Sequence, residues 1–134
     1  MSQIANIQQQ YVCHCAGCKQ TSGSALSTNF LAPRSKIAIT GPVREYSSQA
    51  TSGNTVTRYF CSNCGSAVAH SSSMVPELQA LQTGNFADFG KVKIQHELHV
   101  KDRWTGLAPV PGATQVDAMP DIDFIQRARD LDKA

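Results

Sequence analysis

Three cysteines lie within six residues near the start of the chain, in the motif C-H-C-A-G-C that begins at Cys13. In an extended chain alternate side chains share a face, so Cys13 and Cys15 point the same way and His14 points away from them. The Ala-Gly pair that follows allows a tight turn, which brings Cys18 to the same centre. Three thiolates with one open position are typical of a catalytic zinc, whereas a structural zinc is normally closed by four ligands.

A second pair, Cys61 and Cys64, forms a C-x-x-C motif that follows a strand-like run and precedes Gly65. This pattern is typical of a zinc knuckle, in which backbone N–H groups face the sulfurs and the glycine completes the turn. A redox dithiol is the alternative, but neither cysteine group precedes the helix of a thioredoxin-like unit. Five is an odd number, so a pure disulfide framework leaves one thiol over, and we predict that all five cysteines are zinc ligands.

The four histidines are weaker candidates for metal binding than the cysteines. We expect His14 to orient its surroundings or face solvent. His70, His96 and His99 are each more often packing or surface residues than ligands, although His96 falls on the inward or ligand-facing row of a predicted strand. The cysteines are therefore preferred over the histidines as ligands of the predicted metal sites.

The composition favours one domain whose partner is neither nucleic acid nor a membrane. A chain of 134 residues suits a single domain over residues 1–134, and 12 Lys and Arg against 10 Asp and Glu give a charge of only +2. The polar residues 1–10 lack the apolar core of a signal peptide, and no stretch is long enough to span a bilayer. We expect a cytoplasmic protein, in which cysteines stay reduced unless they bind metal.

Short strand-like runs predict a mainly β domain with a short C-terminal helix. The predicted strands cover residues 25–31, 36–40, 43–47, 55–60, 66–70 and 91–100. Residues 78–83 are either a buried strand or one helical turn, and residues 103–120 are predicted to be irregular. Residues 121–134 are the only good helix candidate. The apolar stripe of this predicted helix consists of Ile122, Ile125, Ala128 and Leu131.

The two cysteine motifs, taken in order, resemble those of the glutathione-dependent formaldehyde-activating enzyme and centromere protein V family. The resemblance rests on the first motif with T-S-G-S-A after it at residues 21–25. It also rests on S-G-N-T-V-T-R-Y-F-C-S-N-C-G at residues 52–65 and on L-H-V-K-D-R-W at residues 98–104. It covers roughly residues 11–105 and leaves the helical tail outside. The resemblance implies a β-tent, in which two small antiparallel sheets surround a zinc site.

The family resemblance also implies which cysteines hold which metal. A catalytic zinc falls on Cys13, Cys15 and Cys18, and a structural zinc takes two ligands from Cys61 and Cys64. Family members usually complete the structural site with an N-terminal C-x-C, which this sequence lacks. Three alternatives stay open for the second site: the metal is lost and a dithiol remains, one Cys₄ site forms from the last four cysteines, or ligands come from another chain or from His or Asp. A dimer partner is also a candidate to cover exposed sheet edges.

The implied activity is the formation of S-hydroxymethylglutathione from formaldehyde and glutathione, which is carbon–sulfur lyase chemistry. Zinc with three thiolates is a weak Lewis acid, but it suits a substrate thiol, whose pKa it lowers. We therefore expect glutathione or a thiol adduct as substrate. His14 is a candidate for proton transfer, and Lys19, Arg58 and Lys101 are candidates to hold the carboxylates of glutathione. The competing hypotheses are a non-catalytic zinc module that binds a protein partner and, more weakly, a redox dithiol protein.

Overall fold

The protein was analysed as a computed structural model, which describes residues 9–50, 52–120 and 122–131. These residues form eight strands and two α-helices, which confirms a mainly β fold with a short C-terminal helix. The elements are β1 (Gln10–Cys13), α1 (Ala16–Ser22), β2 (Ser27–Pro33), β3 (Val43–Gln49), β4 (Thr55–Cys61), β5 (Ala67–Ser72), β6 (Leu78–Gln82), β7 (Ile94–Leu98), β8 (Thr114–Gln115) and α2 (Ile122–Asp130). Among the described residues, no helix is both long and apolar enough to cross a bilayer.

The strands are hydrogen-bonded in the order β3-β4-β5-β6-β2-β1-β7-β8. The resemblance implied two small antiparallel sheets, whereas here one order joins all the strands, and β7 pairs in parallel with both β1 and β8. The join between β5 and β6 consists of two residue pairs, Ala69 with Leu81 and His70 with Ala80. Only the β7–β8 pairing among the described strands is equally short, with two residue pairs.

Apolar side chains pack on both faces of the sheet. One cluster contains Tyr11, Cys13 and Cys18 together with Phe124 from α2, so the cysteine motif borders a core. The other cluster is built around Phe30 and Phe86, whose rings meet edge-on with centroids 5.5 Å apart. Because the cysteines adjoin buried apolar side chains, the strand that carries them is fixed by packing as well as by hydrogen bonds.

A helix occupies the place where the sequence predicted only a tight turn. Helix α1 begins directly after Cys15 and ends at Gly23, which has the left-handed conformation with φ of 64° and donates its N–H to the Lys19 carbonyl oxygen. The prediction that residues 121–134 are the only good helix candidate was therefore wrong. The helix has seven residues, which is too few for an apolar period, and its two caps define it instead.

Residues 36–40 were predicted to form a strand, and this prediction was wrong. They lie outside the sheet, although Ile37 and Ile39 pack against the core around Phe30. The Gln79 side chain donates a hydrogen bond of 2.9 Å to the Ile37 carbonyl oxygen. The alternation of apolar residues thus reflects packing of a loop onto the sheet rather than strand pairing.

The C-terminal helix has the predicted location, and Ile125 and Ala128 of the predicted stripe pack against the core, but Ile122 does not. Phe124 and Ala128 are buried, whereas Ile122 is 76% exposed. Phe124 meets the rings of Tyr11 and His96, with centroid distances of 5.7 Å and 4.3 Å. Because Phe124 packs on these two rings, Phe124 lies on the buried face of the helix and Ile122 does not. The helix predicted over residues 121–134 includes residues 121 and 132–134, which lie outside the described residues.

Candidate metal centre

Strand β1 and helix α1 together position the first three cysteines. Cys13 is the last residue of β1, between β2 and β7, so its backbone is held from both sides. Cys15 is the N-cap of α1, where its Sγ accepts a hydrogen bond of 3.4 Å from the Cys18 backbone N–H. Cys18 lies in the first turn of the helix and is buried. A strand end and a helix start therefore fix all three thiols.

The three Sγ atoms of Cys13, Cys15 and Cys18 all lie within 4.8 Å of one another, close enough to hold a metal ion. In a tetrahedral zinc site with Zn–S bonds of about 2.3 Å, neighbouring sulfurs are about 3.8 Å apart. Cys13 and Cys18 are buried, whereas Cys15 is half-buried and is the ligand nearest to solvent. The donor set thus fits a soft divalent metal, with access from the side of Cys15.

The three thiols hydrogen-bond to one another, so their ionisations are linked. Hydrogen bonds from Cys13 and Cys18 lower the pKa of Cys15 well below its usual range. The hydrogen bond to Cys15 raises the pKa of Cys13 far above its usual range. A hydrogen bond from Cys13 lowers the pKa of Cys18, but Cys15 and burial outweigh it and raise this pKa to about 11. Negative charge therefore concentrates on Cys15, and a bound cation has to displace the other protons.

A short chain of polar side chains supports Cys18 from strand β2. Ser27 lies opposite Cys13 in the β1–β2 pairing and hydrogen-bonds to the Cys18 thiol. Ser27 Oγ in turn accepts a bond of 2.9 Å from the Asn29 side-chain amide, which is fully buried. Partners of this kind fix the orientation of metal ligands and tune their affinity. On the same face, burial and then the nearby thiolates raise the pKa of Tyr11 well above 10, so its hydroxyl stays neutral.

His14 lies in a buried polar cluster on the other side of the strand. Its Nε2 is 2.6 Å from Glu97 Oε2, and both side chains are almost completely buried. Glu97 faces Val12 across the β1–β7 pairing, so Val12, His14 and Glu97 share the face opposite to Cys13. The sequence-based expectation that His14 points away from the cysteines agrees with this geometry. Its predicted role in proton transfer stays a prediction.

Glu97 is the centre of that polar cluster, and sequence analysis missed it. It accepts hydrogen bonds from the Val110 N–H, from Arg103 Nε and from the Gln115 side-chain amide. Burial raises the pKa of Glu97, but these bonds and the one with His14 outweigh burial and lower the pKa to about 2. The sequence did not indicate a role for Glu97, because Arg103, Val110 and Gln115 lie after the end of β7 and follow no regular spacing.

The three predicted cationic residues lie at different distances from the cysteines. Arg58 of β4 packs against α1, because a Cβ built on Gly17 would be 2.7 Å from Arg58 Nη2. Lys19 is on α1 and donates a bond of 2.6 Å to the Asp102 carbonyl oxygen. Lys101 is exposed in the short 3₁₀ helix Val100–Asp102. The structure therefore brings Arg58 and Lys19 to α1, while Lys101 lies in the loop that Lys19 contacts.

Two other histidines interact electrostatically with Cys15. His70 is paired with Arg58 across β4 and β5, and burial, aided by the Arg58 charge, lowers the pKa of His70 to about 4. His99 follows β7 and lowers the pKa of Cys15 through its charge. It has a φ of 55°, the left-handed region that side chains other than glycine seldom adopt. Sequence analysis interpreted both as packing or surface residues, because their distance from Cys15 depends on the tertiary fold.

Cys61 and Cys64 form a separate pair at the tip of the β4–β5 hairpin. A hydrogen bond from Ser66, whose Oγ is 3.1 Å from the sulfur, lowers the pKa of the exposed Cys64. Among the residues that the structure describes, only Cys13, Cys15 and Cys18 form a group of three or more possible metal ligands. The single Cys₄ site that would include Cys15 and Cys18 is therefore not formed in this structure.

Comparison with known proteins gives one family. The sequence model described as glutathione-dependent formaldehyde-activating enzyme matches residues 2–102, which is more than half of the chain. No curated protein gives a significant match. The match includes both cysteine motifs, and it confirms the resemblance on which the fold and the metal site were predicted. The chain belongs to the glutathione-dependent formaldehyde-activating enzyme family.

Proposed function

We propose that this protein is a zinc-dependent carbon–sulfur lyase that acts on glutathione or a glutathione adduct, with activity like that of S-hydroxymethylglutathione synthase. The family supports glutathione-related chemistry of this kind. The observation that carries the proposal is the group of three thiols within 4.8 Å of one another, of which only Cys15 reaches towards solvent. Such a site closes three positions of a tetrahedral ion and leaves the fourth for a substrate.

Cys13, Cys15 and Cys18 are the residues that would hold the zinc ion. When bound, zinc lowers the pKa of a substrate thiol and so makes it a better nucleophile and a better leaving group. Three thiolates also bring three negative charges, which leaves the ion a weak Lewis acid towards a carbonyl. This donor set therefore favours a thiol over a carbonyl as the activated partner.

The reaction itself is a simple addition that runs in both directions. The substrate thiol loses its proton, and its sulfur forms a bond to the carbonyl carbon of the aldehyde. The π electrons of the carbonyl move to oxygen, which takes up a proton, so that thiol and aldehyde become one hydroxymethyl thioether. In reverse, the hydroxyl proton leaves, the C–S bond breaks, and thiol and aldehyde are released. No oxidant or reductant is consumed.

The chain's own side chains have two tasks in this scheme. We propose that Arg58, which packs against α1, holds a carboxylate of glutathione, and that Lys19 and Lys101 are further candidates for this role. A side chain must also move the proton. His14 is the residue predicted for this from the sequence, and His70 and His99 are the histidines that interact with Cys15. We place the protein in a reducing compartment such as the cytoplasm, where glutathione is abundant and free thiols persist.

The direct test is an assay with glutathione and formaldehyde that measures the rate at which the adduct forms. We expect purified protein to contain zinc and to accelerate this reaction. Cys15→Ser should lose both the metal at this site and the activity, while the circular dichroism spectrum stays close to that of the wild type. Retained activity without bound metal, or no acceleration by the zinc-loaded wild type, would contradict the proposal.

The same assay distinguishes the candidates for proton transfer. His14→Gln, His70→Gln and His99→Gln are compared by the pH dependence of kcat at equal zinc content. Loss of general acid–base catalysis lowers the rate by about 10²–10⁴-fold. The variant that shows this loss together with a changed pH profile identifies the proton carrier. Unchanged profiles in all three would remove histidine from the scheme.

A further inference from the structure

The tip of the β4–β5 hairpin presents two thiols that form half of a metal site. Cys61 is half-buried at the end of β4, and Cys64 is exposed in the turn that follows. The two thiols are close enough to hydrogen-bond, and they are not joined by a disulfide. Two neighbouring thiols can bind one face of a tetrahedral ion, so the tip offers two of the four ligands of a structural zinc.

The turn that carries the two cysteines is fixed by hydrogen bonds within the chain. The Gly65 N–H donates to the Cys61 carbonyl oxygen at 2.8 Å, and the Cys61 N–H donates to the Ser66 carbonyl oxygen at 2.9 Å. Gly65 has a φ of 79°, which favours glycine at this position. The Ser62 N–H also donates to the Pro42 carbonyl oxygen at 2.7 Å, which anchors the tip to the neighbouring loop. Because the turn is already formed, binding a metal needs little rearrangement.

The described residues of the same chain do not supply two further ligands at this tip. Within the described part of the chain, no third Cys, His, Asp or Glu groups with these two thiols. Residues 1–8, M-S-Q-I-A-N-I-Q, contain none of these four residue types. Two positions of a tetrahedral ion at this tip are therefore open to donors from a second molecule.

The surface of the tip suits contact with an identical tip. Residues 61–66, C-S-N-C-G-S, have no charged or bulky side chain, and residues 62–66 are exposed. Two such tips can approach until their sulfurs are about 3.8 Å apart, as a tetrahedral zinc site requires. A twofold axis through the metal gives four thiolates from two identical pairs.

We propose that two copies of this chain share one zinc ion at their hairpin tips, each contributing Cys61 and Cys64. The shared ion makes the dimer dependent on metal. It also gives three zinc ions per two chains, because each chain holds its own ion at Cys13, Cys15 and Cys18. The bridge uses none of the residues of the proposed catalytic site.

The test compares mass and zinc content of the full chain after reduction and loading with zinc. Native mass spectrometry should show wild-type dimers with three zinc ions. The double variant Cys61→Ser/Cys64→Ser should be a monomer with one zinc ion. Asn63→Ala, which changes the same turn but keeps both thiols, should remain a dimer. Cys15→Ser should remain a dimer that holds only the bridging ion.

Three results would overturn the shared site. They are a wild type that stays monomeric when loaded with zinc, a dimer that survives the double substitution, and a Cys61–Cys64 disulfide that forms in place of zinc binding in the reduced protein. Turnover is measured on the same samples. A dimer without turnover refutes the proposed reaction alone, whereas turnover in a protein that never dimerises refutes the bridge alone.

Discussion

At the scale of single residues, Cys15 combines the properties that the proposed chemistry needs. It begins a helix, it receives hydrogen bonds from both neighbouring thiols, and it is the one thiol of the three that reaches solvent. Cys13 and Cys18 are buried and anchor the site, while Arg58 brings positive charge to the helix that starts at Cys15. Binding of an anionic thiol next to Cys15 would therefore meet a fixed cation, and this contact can be measured.

Arg58→Ala should weaken binding of glutathione without changing the metal site. A hydrogen bond to a charged group contributes about 1.5–3 kcal/mol, which corresponds to a KM for glutathione raised about 10–100-fold. Since the guanidinium holds the substrate rather than the reacting atoms, kcat should change much less. Arg44→Ala is the matched control, because Arg44 is exposed on the adjacent strand, opposite Phe60. Equal effects in both variants would show that only general surface charge matters.

At the scale of elements, two helices contribute to the core cluster that contains Cys13 and Cys18. Helix α1 carries Cys18 and begins at Cys15, and helix α2 packs Phe124 on Tyr11, which lies on the same face of β1 as Cys13. The site is thus formed by the end of one strand, the start of one helix and the core behind them. A substitution in this core should therefore lower the free energy of unfolding, and it leaves the three cysteines themselves in place.

Phe124→Ala should lower the free energy of unfolding by about 3–5 kcal/mol, because it removes a fully buried ring from the core. Ile122→Ala on the same helix is the control and should change stability by less than about 0.5 kcal/mol, since Ile122 is largely exposed. Urea denaturation of both variants measures the difference. If Ile122→Ala proved to be the more damaging change, the buried face of α2 would be wrong.

The local motifs could be predicted from the sequence, but the tertiary contacts between distant segments could not. The clustering of Cys13, Cys15 and Cys18 follows from their spacing, and strands such as β3 and β4 follow from residue types and turns. The burial of Phe124 depends on rings from distant strands, which no window of sequence contains. Likewise, the position of Arg58 beside Gly17 depends on how the hairpin meets α1.

At the scale of the whole molecule, Glu97 connects the cysteine strand with a loop far along the chain. Its carboxylate bonds to His14 next to the cysteines and to Arg103, Val110 and Gln115 in the region after β7. These contacts bury a negative charge and satisfy it from several sides. The ionised state of Glu97 should therefore contribute to the stability of the whole fold.

Acid should remove the contribution of Glu97 to stability. Because folding lowers the pKa of Glu97 from 4.5 to about 2, the folded state favours the ionised form. The stabilisation amounts to about 3 kcal/mol above pH 4.5, and it is lost as the pH falls towards 2. Glu97→Gln should be less stable than the wild type at pH 7, and the gap should narrow between about pH 4.5 and 2. Parallel stability curves for the two proteins would show that Glu97 does not carry this dependence.

The central claim is that three thiols of this chain hold a zinc ion whose fourth position accepts the thiol of a substrate. X-ray absorption at the zinc edge counts the sulfur ligands directly, and Cys61→Ser/Cys64→Ser limits the measurement to the site of Cys13, Cys15 and Cys18. We predict three sulfur ligands and one oxygen or nitrogen ligand in this variant alone, and four sulfur ligands after glutathione is added. Four sulfur ligands before glutathione is added, or an unchanged count afterwards, would contradict the account.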